Sequence, residues 1–211
     1  MNYKRLLVAG AALLSFAFCA NCTNQLSQAE ASPYVPEDIF RWVQSSARTN
    51  YFFNKQQICY ELDAEGNIDT NLLVVPVLKT FDDVMINDVV AKRRWNGKSL
   101  EGFDDFVGVS EYLVINLAEK KVSVQEVDYL DSTWTAIEVV KTDVEVSLEE
   151  LSEKSLDARF YDRVIDYAMR NQLILAERTK GDLDEALKAQ LAEAQEAYRA
   201  EHKPDRPEDN E

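Results

Sequence analysis

The sequence predicts an α+β fold, in which an antiparallel sheet in the earlier part of the chain is followed by helices. Between residues 38 and 143, apolar and polar residues alternate over short stretches that are rich in β-branched and aromatic side chains. Beyond residue 143, apolar residues recur at three- and four-residue spacing. We therefore expect a small antiparallel sheet of hairpins and a meander, covered by a C-terminal helix, with a second, more solvent-exposed helix after it.

A secretory signal precedes the predicted domain. Lys4 and Arg5 stand directly before an uncharged apolar run at residues 6–20, which is shorter than the ~20 residues that cross a bilayer. A small-residue triplet at 29–31 fits signal peptidase, and residues 1–31 would then be removed. We expect an exported protein in the periplasm or at the surface of a bacterium.

Cys22 offers a second route of processing, in which the protein becomes a lipoprotein by diacylation of this residue. That signal normally has a small residue before the cysteine, and Asn21 stands there. The sequence therefore favours the cut after Ala31, with no lipid anchor and no transmembrane span in the mature chain.

The chain is strongly acidic, with a formal charge of −15. Because residues 1–31 contribute one net positive charge, the mature chain carries −16. Such a surface repels phosphate backbones, so we expect no nucleic-acid partner.

Cys59 is the only cysteine beyond the signal. It has no partner for an intramolecular disulfide, so the fold must be held by packing, with Cys59 as a small buried residue.

Seven segments are predicted to be strands, and two turns join them into hairpins. The turn at 63–67 contains Gly66 and Asn67, which tolerate a positive φ, and a second turn lies at 118–121. Pro76 cannot donate a ladder hydrogen bond, so its strand is expected at a sheet edge or bulged there. Residues 84–91 fit a strand or a helix, and 92–98 fit an exposed loop. The predicted strands are 39–44, 51–53, 58–62, 72–80, 112–117, 122–129 and 133–140.

Two helices are predicted after the sheet. Ser155 can cap a helix over 155–171, whose apolar residues at four-residue spacing form a stripe wide enough to pack on the sheet. After Gly181, Asp182 and Glu185 form a capping-box-like start for a helix rich in Ala and Glu. The predicted organisation is a linker at 32–38, an α+β domain at 39–180, this helix at 181–201, and a disordered acidic tail at 202–211.

No catalytic, metal or cofactor site is predicted. His202 is the only histidine and falls in the predicted tail, which removes histidine-based triads and zinc sites from a folded cleft. The oxygen-rich segment 63–69 does not follow the calcium-loop pattern and is more simply a hairpin turn. We predict a non-enzymatic protein. The alternative is an envelope enzyme, or an enzyme accessory, that uses carboxylates in a cleft.

Two surfaces are predicted as partner contacts. The first is a basic cluster around Trp95, which could steer an acidic partner or polymer while Trp95 supplies contact area. The same cations could instead balance nearby aspartates at 82, 83, 104 and 105, and the sequence favours this second interpretation. The other surface is a narrow leucine seam on the second helix, which could equally be solvated and held by charge pairs. The residues concerned are Lys92, Arg93, Arg94, Trp95 and Lys98, and Leu183, Leu187 and Leu191.

One arrangement resembles a known family. Trp42, followed after a short gap by Tyr51-Phe52-Phe53-Asn54 and then Ile58, resembles the opening of the surface-adhesin protein E type domain. The similarity continues through Gly66-Asn67 and a later meander, over about residues 39–171. Asn54 and Gln57 stand where the family commonly has aspartate and serine, and the family's cysteines near the meander are absent. The resemblance implies an antiparallel sheet with a packed helix at the cell envelope. Together with the absence of catalytic signatures, it favours a binding or adhesion module, whose possible partner is a protein or a surface polymer.

Overall fold

A computed structural model describes residues 33–202 of the chain. The predicted signal peptide, Cys22 and residues 203–211 of the predicted tail lie outside the described residues. Within residues 33–202 the strands are β1 (Phe40–Ser45), β2 (Thr49–Asn54), β3 (Cys59–Leu62), β4 (Ile68–Phe81), β5 (Phe106–Asn116), β6 (Lys121–Asp131) and β7 (Ala136–Ser147). The helices are α1 (Asp83–Trp95), α2 (Leu156–Arg170), α3 (Gln172–Arg178) and α4 (Glu185–Glu201).

The strands form one antiparallel sheet, in the order β1-β2-β4-β5-β6-β7, with β3 paired to β4. Each predicted strand overlaps one observed strand, which confirms the α+β class and its antiparallel sheet. The central strands extend further than their periodicity indicated, because β4 has 14 residues and β5 and β6 have 11 each.

The prediction that Pro76 lies at an edge or a bulge is wrong. Pro76 is opposite Tyr112 in the unbroken pairing of β4 with β5. On the other side of β4, the pairing with β2 ends at Val77 and the pairing with β3 begins at Val74. Pro76 therefore occupies a gap between two shorter strands, where its missing N–H removes no ladder hydrogen bond.

Helices cover one face of the sheet, which we call the covered face. Tyr51 on this face contacts Phe160 of α2, with 5.9 Å between ring centroids. The guanidinium of Arg93 in α1 lies 5.2 Å from the ring centroid of Tyr129. Residues directly opposite in an antiparallel pair share a face. A row of opposed residues on the covered face runs across six strands through Gln44, Tyr51, Lys79, Val109, Tyr129 and Glu138.

The helix α2 forms as its sequence predicts. The Ser155 side chain caps it by accepting a hydrogen bond of 3.0 Å from the Ala158 N–H. Phe160 and Val164 on its apolar stripe are buried against the sheet. The ring of Tyr167 lies 4.9 Å from that of Phe53 in β2. The principal core therefore lies between α2 and the covered face.

The second predicted helix packs its leucine seam against the core. It begins at Glu185, and its cap is Asp184 rather than Asp182, since the Asp184 carboxylate accepts from the Leu187 N–H at 2.7 Å. Leu191 is buried in the principal core, and Leu183 and Leu187 pack against it. The predicted partner contact is therefore wrong for Leu191, which is buried, while Leu183 and Leu187 are half-buried and a contact at these two residues stays a prediction.

Polar contacts also hold α4 against α2 and α3, a short helix that the periodicity did not predict. The Leu173 N–H donates to the side chain of Gln195, and the Tyr198 hydroxyl donates to Asp166 at 3.0 Å. The His202 ring stacks on Tyr198, 4.1 Å away. This residue was predicted to lie in a disordered tail, but it is the ordered C-cap of α4. No helix within residues 33–202 has the length and apolar character to cross a bilayer.

Candidate binding surfaces

The opposite face of the sheet, which we call the open face, has no helix within residues 33–202. Each of α1, α2 and α3 packs on the covered face, and α4 packs on α2 and α3. One row of opposed residues on the open face runs across six strands. Its members are Trp42, Phe52, Leu78, Ser110, Asp128 and Val139. The neighbouring row consists of Pro76, Tyr112, Glu126 and Lys141.

One half of the open face carries partly exposed aromatic side chains, which flank the buried Leu78 and Pro76 of β4. Trp42 is 46% exposed and Tyr112 39% exposed, and Phe52 is partly exposed in the row of Trp42. The Trp42 indole N–H donates to the Ser45 hydroxyl at 3.1 Å, which fixes the direction of its ring. Because Trp42 and Tyr112 lie three strands apart, the apolar strip is about 14 Å long. An apolar strip of this length on a soluble surface is typical of a contact site.

The other half of the open face carries charged side chains, together with the exposed Val139 of β7. Lys141 pairs with Glu126, which lies directly opposite it on β6. Asp128 is two residues further along β6, and its buried Oδ1 has no hydrogen-bond partner among the described residues. Burial, together with the adjacent Glu126, raises the pKa of Asp128, although Lys141 opposes this effect. Two carboxylates thus share one cation at the boundary with the apolar strip.

The basic cluster predicted around Trp95 is only partly a surface. Trp95 is 90% exposed at the end of α1, and Lys92, Arg94 and Lys98 are exposed around it. Residues 92–95 form the last turn of α1 rather than a loop, and Asp82 caps the opposite end of this helix by accepting from the Met85 N–H at 2.8 Å. Lys92, Arg94, Trp95 and Lys98 therefore lie at the surface, where a partner could reach them.

Arg93 was predicted to belong to this surface, and that prediction is wrong. Its side chain points to the sheet, where its Nη1 lies 2.5 Å from Glu138 Oε2 of β7. The guanidinium also stacks on Phe103, 3.8 Å from the ring centroid, and donates to the Ser99 carbonyl. The reason is the helical period, which turns one of three consecutive basic residues toward the sheet. The positive charge of Arg93 was expected to be balanced by aspartates 82, 83, 104 and 105, but Glu138 balances it instead.

A small groove lies beside Arg93, with a volume of about 350 Å³. Lys98 and Glu101 line it, together with Phe103 and Glu138. Arg93 and Glu138 already pair with each other here. The groove is therefore shaped by the packing of α1 on the sheet, and Lys98 is its accessible cation.

The covered face contains a cluster of ionisable side chains under α2. Lys79 Nζ lies 2.7 Å from Glu111 and 5.6 Å from the Tyr51 ring centroid. Burial is the main cause that raises the pKa of Tyr161 well above its usual value, and the negative charges of Asp157 and Glu111 add to the effect. The buried rings of Phe160 and Tyr161 lie over the cluster, so its ion pair stabilises the packing of α2. Protonated tyrosines with raised pKa values are poor general bases at neutral pH.

Other predicted features have local structural roles. The Asp63 carboxylate accepts from the N–H groups of Glu65 and Asn67, and Gly66 has a φ of 87°, so the segment 63–67 is a hairpin turn as predicted. Cys59 is half-buried rather than buried, and desolvation raises its pKa. In residues 33–202, no cluster of three or more His, Cys, Asp and Glu side chains has an arrangement suited to a metal ion.

Sequence reasoning missed the open face. Imperfect alternation in β6 left the buried face of this strand undecided, because Gln125 forms an irregularity in the pairing with β5. Trp42 and Tyr112 are aromatic residues of predicted strands, and the default expectation for such residues is the core. Once the pairing is known, strand alternation places Trp42 and Tyr112 on the face opposite to Tyr51 and Phe53. The sequence alone does not give this pairing, so it could not identify the open face.

No family model matches the chain, and a search of curated proteins finds no matching relative.

Proposed function

We propose that this chain is a non-enzymatic, exported protein of the bacterial cell envelope that binds a partner through the open face of its sheet. The observation that carries the proposal is the apolar strip of Trp42, Phe52 and Tyr112 on a sheet face that has no helix in residues 33–202. A sheet with an apolar face is stabilised by burying that face against another element. Aromatic side chains are also the residues that contribute most at binding interfaces.

The arrangement of carboxylates favours recognition over catalysis. General acid and base catalysis requires two groups that converge on one substrate and differ in pKa. Glu126 and Asp128 point out of one strand on an open sheet face, and Glu126 is already paired with Lys141. This is a geometry for contacting a partner across a surface.

The Trp95 surface is a second candidate contact within the same function. Trp95 has the largest exposed fraction of the exposed apolar side chains, and three exposed cations surround it on an acidic protein. An exposed aromatic among cations suits an acidic partner. The open face offers the larger apolar strip, so we place the principal contact there.

Co-sedimentation with isolated envelopes of the source bacterium tests the proposal and separates the two surfaces. The variants are Trp42→Ala/Tyr112→Ala on the open face and Trp95→Ala/Arg94→Glu at the end of α1. Ile174→Ala is the control, because Ile174 is an exposed apolar residue of α3. We expect the open-face variant to lose most of its bound fraction while the other two retain theirs. Equal recovery of wild type and the open-face variant would exclude this face.

Export is part of the proposal and rests on Lys4, Arg5 and the apolar run that follows. Intact-mass measurement on protein recovered from the envelope fraction tests it. A mature N-terminus at Ser32 is the expected result. A mass increase that matches acyl chains on Cys22 would indicate the lipoprotein route instead, and a retained Met1 would contradict export with processing.

A further inference from the structure

The boundary between the two halves of the open face specifies the chemistry of its partner. The apolar strip ends at Tyr112, and the next strand places Glu126 directly opposite that residue. In the other row, Ser110 is followed by Asp128. A partner that lies across the strip therefore meets carboxylates about 5 Å beyond its last apolar contact, which is one inter-strand spacing.

The charges at this boundary are incomplete. Lys141 is engaged by Glu126, so Asp128 has no cation of its own in the described part of the chain. Glu126 and Asp128 therefore depend on one cation, and a cation of a partner beside the Asp128 carboxylate would add the compensation that Lys141 supplies only in part. The acidic charge of the whole chain acts in the same direction, since it attracts cations and repels anions.

We propose that the open face binds a cationic amphipathic helix of a partner polypeptide, with its apolar stripe on Trp42 and Phe52 and a lysine or arginine at Asp128. This inference rests on the proposed function. A helix presents such a stripe with cationic residues along its border. A strip of about 14 Å matches about nine residues of helix at 1.5 Å rise per residue. A helix on the open face would also give the sheet helices on both faces, which is a stable layer arrangement.

Binding of synthetic peptides to the full chain tests the proposal by fluorescence polarisation. The probe is an 18-residue helical peptide of leucine and lysine with one apolar stripe. Two comparison peptides are an isomer with the same residues in scrambled order and a version with glutamate in place of lysine. We expect the amphipathic cationic peptide to bind at least tenfold more tightly than either comparison peptide. Equal binding of the scrambled isomer would show simple charge attraction and overturn the proposal.

Substitutions on the protein locate the site. Asp128→Asn should weaken binding of the cationic peptide by about threefold to tenfold, the range expected for losing one partly buried ion pair. Trp42→Ala should weaken it by a similar factor. The matched control is Glu149→Gln, which removes an equally negative but exposed carboxylate that pairs with Lys120 away from the open-face rows. If Glu149→Gln weakens binding as much as Asp128→Asn, the proposal is wrong.

The two proposals fail in different ways. If the open-face variant Trp42→Ala/Tyr112→Ala still sediments with envelopes, the proposed function fails. If that variant loses envelope binding but Asp128→Asn binds the cationic peptide as tightly as wild type, the open face is a contact site for a partner of other chemistry. An uncharged surface polymer would then be the indicated partner, and the inference about a cationic helix would be overturned.

Discussion

Arg93 of α1 and Glu138 of β7, two residues that are 45 positions apart in sequence, form an ion pair. The paired atoms, Arg93 Nη1 and Glu138 Oε2, are both buried. The pair therefore fixes the position of α1 on the sheet, and each charge depends on the other for compensation.

Removal of this cation should destabilise the protein. We expect Arg93→Met to lower the free energy of unfolding by about 2–4 kcal/mol, because it leaves Glu138 without its partner and removes the stacking on Phe103. Urea denaturation measures this change. Arg94→Met is the control, since Arg94 is the exposed neighbour on the same helix turn, and it should change stability by less than about 0.5 kcal/mol. Equal effects of the two variants would contradict the assigned packing.

The packing of α2 on the sheet predicts a large effect at Phe160. This side chain is buried and contacts Tyr51 and Tyr161. We expect Phe160→Ala to cost about 3–5 kcal/mol, and Phe160→Asp to prevent folding, because a buried charge would replace an aromatic ring. Thermal unfolding followed by circular dichroism measures both. Ile174→Ala, at an exposed site of α3, should leave the midpoint nearly unchanged.

The position of Leu191 in the core predicts that α4 is a structural helix. Leu191→Ala should reduce the free energy of unfolding by about 2–4 kcal/mol, as expected for a buried leucine. Gln190→Ala is the matched control on the same helix, because Gln190 is exposed and alanine favours helix. A chain truncated after Lys180 should also be less stable. Unchanged stability of the truncated chain would show that α4 contributes nothing to the core.

Tyr60 predicts a specific loss of stability at alkaline pH. Burial raises its pKa to about 12 from an ordinary value near 10. Between these values the unfolded chain loses the proton and the folded protein keeps it, so stability is complete below pH ~10 and falls as pH rises toward 12. The slope attributable to Tyr60 approaches about 1.4 kcal/mol per pH unit.

Urea denaturation at several pH values from 9 to 11 measures this loss. Tyr60→Phe should make the decline shallower than in wild type, because phenylalanine has no proton to lose. Tyr34→Phe is the control, since Tyr34 is exposed near the start of the described residues. A decline that stays as steep in Tyr60→Phe as in wild type would contradict the assigned burial of this hydroxyl.

Local sequence determined the elements of the fold. Ser155 and the four-residue spacing after it predicted α2 because a cap and an apolar stripe act within one helix. Gly66 and Asn67 predicted the hairpin between β3 and β4 because turn conformation depends on neighbouring residues. These features need no knowledge of distant contacts, so they could be read correctly from the chain alone.

Tertiary structure decided what the elements face. Strand parity separates Tyr51 from Phe52, but only the docking of α2 shows that Tyr51 lies on the covered face and Phe52 on the open face. In the same way, Arg93 and Arg94 are adjacent and chemically equal, and only the position of Glu138 distinguishes a buried anchor from a surface cation. Periodicity gives the two sides of a strand or helix, while burial of one side depends on which distant segment packs against it.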